Sequence, residues 1–180
     1  MYPLAFATLG AALVAIWMAW LQPQDTARLN EAQTSAYAAN FWAYRDALVA
    51  YQNDNYQTAQ GFVPNLVLAT PFMGSPTGYF ALGYQVMRTD PPLPTNLWSH
   101  YFEAGRLYTF SSIPARKLPP GVIDAIFKYR GNSLMMGIKQ GNGTMVAAYR
   151  MNKDPEGHSK GAIFTLPPPI PVGALVVVGN

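Results

Sequence analysis

Eighteen of the first 21 residues are apolar, and no charged side chain precedes Asp25. As a helix, the uncharged run from Leu4 to Leu21 would span about 27 Å, close to the hydrocarbon thickness of a bilayer. Trp17 and Trp20 stand near one end, where interfacial aromatics gather. The pattern predicts a membrane anchor over residues 1–22. A cleaved signal peptide competes with it, opposed by the missing basic n-region and by an apolar run longer than the usual h-region of about 7–15 residues. A buried core helix is the third reading, and it has no reason to avoid polar residues for so long.

After Pro23 the pattern changes. Gln24-Asp25-Thr26 offers a helix restart, with Asp25 or Thr26 as the cap. Tyr37, Phe41, Tyr44, Leu48 and Tyr51 then follow at spacings of 4, 3, 4 and 3, which places them on one helical face. The spacing predicts an amphipathic helix within residues 23–60, running from Thr26 to Asn53 and nearly continuous with the anchor. Its early part, Thr26–Ser35, is polar and expected in solvent, and Asn53-Asp54-Asn55 ends it. Arg45 flanks the apolar face, in reach of an acid elsewhere in the chain, and Asp46 lies opposite.

From Gly61 the texture changes again, and residues 61–180 read as a separate head. Fourteen of the 16 prolines fall between Pro64 and Pro171. Runs such as Pro91-Pro92-Leu93-Pro94 and Pro167-Pro168-Pro169-Ile170-Pro171 exclude helix interior and central strand. Between them lie short β-like segments: Arg106–Ser111, Leu134–Lys139, Thr144–Tyr149, Ala162–Leu166 and Ala174–Val178. Gly141-Asn142-Gly143 joins the second and third of these as a hairpin. Gly121–Lys128, after Pro119-Pro120, reads as a short amphipathic helix carrying Val122, Ile123 and Ile126. Helices first and strands later predict an α+β fold, with a long amino-terminal helix packed on a small antiparallel sheet.

Composition narrows the function. Charged residues make up 12% of the chain, against roughly 25% in an ordinary soluble domain. The formal charge of +3 forms no Lys/Arg stripe, so nucleic acid is not an expected partner. With no cysteine, a thiol nucleophile and a Cys-based zinc site are excluded. His100 and His158 lie too far apart for an HExxH pair. Gly74-Ser75-Pro76 is not a nucleophile elbow, and the glycines around Gly131 and Gly137 lack the strand–loop–helix setting of a P-loop. Two weak candidates remain. Glu103 and Asp124 are the acids a glycosidase-type dyad would use, and His100, between Trp98 and Tyr101, is a candidate general base. Chance acid pairing and a buried histidine are the blander readings of both. The expectation is therefore a binding or assembly protein and not an enzyme, with no catalytic, cofactor-binding or metal residue assigned.

An ordered series of short motifs carries a family likeness. Tyr44-Arg45-Asp46-Ala47-Leu48-Val49-Ala50-Tyr51 fits a YR-x-A-x-x-A-Y run, and Gly61–Val63 a Gly-x-Val step. Gly105-Arg106-Leu107-Tyr108 leads into a strand, and Pro119-Pro120-Gly121 opens a helix. Gly137-Ile138-Lys139-Gln140 precedes the Gly-Asn-Gly turn. Leu166-Pro167 and Ile170-Pro171-Val172-Gly173 precede a last apolar strand. In this order the chain resembles the PilM proteins encoded with type IVb (thin) pili of conjugative plasmids and integrative elements. The likeness covers most of residues 35–180. Thr70–Asn96 is longer and richer in proline than the family pattern, and Met151–Lys160 stands as an insertion.

The resemblance implies a pilin-like outline and a single-pass protein of the bacterial inner membrane. Its head would lie in the periplasm, a side that charge alone does not decide, since Arg28 is flanked by Asp25 and Glu31. The implied role is type IVb pilus biogenesis in conjugation, by docking on other pilus-assembly proteins, with no cofactor. A minor pilin or tip component is the alternative, disfavoured because no glutamate follows Gly10 at the fifth position, where Ala15 stands. A membrane-tethered envelope enzyme is the remote one. The charge-poor head also predicts a surface covered by partners, with self-association among the expectations.

Overall fold

The computed structural model describes residues 2–56, 58–72, 74–89, 95–129, 135–147 and 163–179, with backbone alone for residues 2–25, 146 and 147. Helix α1 runs from Tyr2 to Asp54. The expected restart at Asp25 or Thr26 does not occur: the helix passes through Pro23 without a break. A proline removes one N–H from the ladder and crowds one carbonyl, which weakens a long helix locally and need not end it. Among the described residues no helix is long and apolar enough to cross a membrane. The side chains of residues 1–25, on which the expected anchor falls, lie outside the described ones. At the other end, Asn55 stops the helix as expected. Its N–H and its side-chain amide both donate to the Tyr51 carbonyl, at 2.9 and 3.0 Å.

Among the described residues six antiparallel strands form one sheet: β1 (Trp98–Glu103), β2 (Arg106–Pro114), β3 (Met135–Lys139), β4 (Thr144–Ala147), β5 (Ile163–Thr165) and β6 (Ala174–Gly179). Their order across the sheet is β1-β2-β6-β3-β4-β5. Five of the six match expected strands within a few residues; Leu134, Ala148, Tyr149 and Ala162, at the margins of the expectation, lie outside the described residues, as do Pro91–Pro94 and Met151–Lys160. The strand missing from the expectation is β1, although Trp98, His100 and Phe102 alternate inward along it. The described residues also form two short α-helices, α2 (Asn65–Ala69) and α3 (Val122–Tyr129), the second as expected, and a 3-10 turn at Ala115–Lys117.

β6 is apolar along its length because it is buried on both faces. Leu175 and Val177 join Phe41, Tyr44, Leu48, Trp98 and Phe102 in the core under α1. Ala174, Val176 and Val178 point the other way, into a smaller core with Tyr108, Phe110, Met145, Leu166 and Ile170. The β2–β6 ladder slips between Phe110 and Pro114. Ser111 repairs the gap: its Oγ accepts the Leu175 N–H at 3.0 Å and donates to the Ile113 carbonyl at 2.7 Å.

The predicted face of α1 is the packed one, with Phe41, Tyr44 and Leu48 fully buried and Tyr37 and Tyr51 at the margins. The buried band is wider than the pattern suggests. It includes Trp42, whose Nε1 donates to the Ile126 carbonyl of α3 at 3.0 Å. It also includes Arg45, which is only 2% exposed and does not lie at an open flank. The Arg45 guanidinium donates to Thr109 Oγ1 at 3.0 Å and to the Val177 carbonyl at 3.4 Å. Gly121 lets α3 approach α1: its φ is +82°, and an added Cβ would sit 3.4 Å from Thr34 Cγ2.

Candidate functional site

β1 turns His100 inward, where Nδ1 lies 2.8 Å from Tyr44 Oη and Nε2 accepts the Val63 N–H at 3.0 Å. A donor aimed at Nε2 leaves that nitrogen unprotonated, so the neutral ring carries its hydrogen on Nδ1. Nδ1 therefore donates to Tyr44, and the Tyr44 hydroxyl in turn donates to Asn65 Oδ1 at 3.3 Å. Burial pulls the imidazole pKa down to about 4. Burial, reinforced by Tyr84, pushes the Tyr44 phenol upward. Both groups are neutral near pH 7. Phe62 and Phe102 pack edge-on against the ring. The general-base reading of His100 gives way to a structural one: the ring rivets α1, β1 and the strap at residues 61–65 together. Asn65 Nδ2 is the one buried polar atom left without a partner among the described residues.

The two acids of the candidate dyad are held apart. Asp124 lines a groove of about 450 Å³ between α1 and α3, together with Glu31 and Lys128. Glu103 sits at the β1–β2 turn, paired in register with Arg106. That turn is tied to the far end of α1, where Gln52 Nε2 donates to the Gly105 carbonyl at 2.8 Å. The helix from Thr34 to Gln52 covers roughly 27 Å at 1.5 Å per residue, several times the separation of about 5–9.5 Å in glycosidase dyads. Gly141-Asn142-Gly143 is a hairpin turn, with Asn142 Oδ1 accepting the Thr144 N–H at 3.1 Å. No group of three or more His, Asp or Glu side chains among the described residues is placed to hold a metal.

What the surface offers instead is apolar. Phe62, Leu66, Val67 and Phe72 are exposed along the strap at residues 61–72. Leu82, 89% exposed, stands at the tip of the turn that closes with the Tyr84 N–H on the Ala81 carbonyl, and Val86 is exposed beyond it. Between that turn and α1 runs a groove of about 550 Å³ whose helix wall is Ala36, Ala39, Asn40 and Ala43. The signal for this groove is in the sequence, as alanines at 32, 36, 39 and 43 on the side of α1 opposite its core face. Ile138, Ile163 and Val172 form the third exposed group, at the sheet.

A family model described as PilM matches residues 10–178. No curated protein and no solved structure matches the chain at significance.

Proposed function

The chain belongs to the PilM family, a pilus-related family, and on that premise we propose that it serves the biogenesis of a type IVb pilus used in conjugation. It acts by docking on other pilus-assembly proteins, held in the inner membrane by its first 22 residues with the head in the periplasm. The observation that carries this reading is the extent of the family match: it begins inside the apolar amino-terminal segment and runs through all six strands. The charge-free run before Asp25 supports the anchor. The exposed apolar groups on the head support docking over catalysis.

One feature favours a second reading. A helix that runs unbroken into an antiparallel sheet also suits a subunit of the pilus itself. Deletion of the gene followed by mating assays and counting of pili tests the first reading, with loss of both expected. Unchanged piliation would overturn it. Fractionation separates the two readings, since a biogenesis factor stays with the inner membrane and a pilus subunit is recovered in sheared pili. Protease treatment of spheroplasts tests the topology: degradation of the head is expected, and a protected head would place it in the cytoplasm.

A further inference from the structure

At one end of the sheet, Pro114, Ala115, Arg116, Ile138, Val172 and Gly173 enclose a recess of about 370 Å³. Its walls are apolar and two of them are open to solvent, Ile138 at 45% and Val172 at 59% exposure. The recess lies on the α1 side of the sheet, because Ile138 pairs with Leu175, which faces that core. In the strand register Ile138 stands opposite Val146, and Val146 opposite Ile163.

Arg116 lines the recess, and Lys117 follows it in the chain. Arg116 and Lys117 are adjacent, exposed, and carried on a 3-10 turn. The turn is fixed in place: the Ala115 N–H donates to the Gly173 carbonyl at 2.8 Å, the Leu118 N–H to the Ala115 carbonyl at 3.1 Å, and Ala115 and Leu118 are buried. Among the described residues neither cation is matched by an acid. A rigid pair of cations that no acid among the described residues matches, beside an apolar recess, is not what the core requires, since among those residues no packing or ladder contact uses the charged ends.

We propose that this recess is a docking site for an extended protein segment that places an apolar side chain in the recess and a carboxylate on Arg116 and Lys117. Arg116 offers the planar fork that takes a carboxylate in two parallel hydrogen bonds, and Lys117 adds a point charge. A lipid surface fits less well, because a bilayer is entered by protruding side chains and this floor is recessed. The inference deepens the docking reading above and rests on it only in taking the partner to be a protein. A pilus phenotype therefore tests that reading, and a binding measurement on the purified chain tests this one.

The measurement is fluorescence anisotropy with the full chain in detergent micelles and three labelled peptides, of alternating Leu and Glu, Leu and Lys, and Gly and Glu. Binding is expected for the Leu/Glu peptide alone, weakening as salt rises. The R116E/K117E double variant, exposed and away from the core, should fold normally by circular dichroism and bind roughly tenfold or more weakly. V172D should weaken binding while leaving the cations in place. Failure of the Leu/Glu peptide to bind, equal binding of the Leu/Lys peptide, or an unaffected R116E/K117E variant would overturn the proposal. So would a dimer of the chain that R116E/K117E dissolves, which puts a second copy on this face. Capture by phosphatidylglycerol vesicles lost in the same variant would overturn it in favour of lipid.

Discussion

On one side of the sheet Phe41, Tyr44, Leu48, Trp98 and Phe102 lie under a helix; on the other, Tyr108, Phe110, Met145 and Val176 pack with Leu166 and Ile170, the residues that flank a run of prolines. The helix satisfies its own backbone, so α1 can spend its side chains on packing and on specific polar contacts through Arg45, Tyr44 and Gln52. The segment from Leu166 to Pro171 has no such ladder. Three consecutive prolines bring no N–H and leave carbonyls that need donors from elsewhere. Lys139 supplies them. Its buried ammonium donates to the Pro167, Pro168 and Ile170 carbonyls at 2.8, 3.4 and 2.7 Å. Burial draws the Lys139 pKa down, while three oxygens around one nitrogen require the protonated, three-donor form. The difference teaches where charge goes in a charge-poor chain: a cation is buried where the backbone cannot close its own hydrogen bonds.

The comparison breaks most visibly on the helix side. Tyr44→Ala should lower stability by about 3–5 kcal/mol, as expected for a buried aromatic, and chemical denaturation would read it. Unchanged stability would refute the packing of α1 on the sheet. Acid should weaken the same side through His100. Its folded pKa of about 4 lies below the ordinary value of 6.5, so the unfolded chain takes up the proton first as pH falls. The stability present above pH 6.5 is then lost progressively toward pH 4, by up to about 3 kcal/mol. A pH series of unfolding midpoints should show this slope, and His100→Gln should flatten it.

The proline side should answer to a different substitution. Lys139→Met takes the ammonium donor from the buried Pro167 and Ile170 carbonyls and should cost about 1–3 kcal/mol. Hydrogen exchange at Ile170 and Ala174 should accelerate while α1 stays protected. A uniform loss of protection would mean that the two sides unfold together and the distinction is idle. The smallest effect is expected at Asn65→Ala. The Tyr44 hydroxyl loses a long acceptor, but a buried amide nitrogen without a partner is removed as well, so the change should stay within about 1 kcal/mol.

The same division explains what could be read in the chain. The face Tyr37–Tyr51, the hairpin at Gly141–Gly143, α3 and β6 were legible because period, turn chemistry and an unbroken apolar run each encode one of them. β1 was not, because Trp98-Ser99-His100-Tyr101-Phe102 mixes aromatics with a histidine, and a titratable residue draws attention to chemistry before alternation. Arg45 and Lys139 were illegible as buried groups. A cation beside an apolar stripe or next to a turn reads as a surface charge, and only the distant partners, Thr109 for one and the proline carbonyls for the other, make burial tolerable. The recess beside Arg116 escaped for the opposite reason: it is assembled from two separate strands, a 3-10 turn and a loop.

The order of the strands has a consequence for how the protein is made. Of the six described strands β6 is synthesised last, yet it sits between β2 and β3 and pairs with both. Until residues 174–179 leave the ribosome or the translocation channel, the sheet exists only as two unjoined pieces, each with a raw edge. A nascent chain cannot bank its fold step by step, and a prematurely terminated one never acquires it. Closure of the sheet is thereby coupled to the arrival of a single strand.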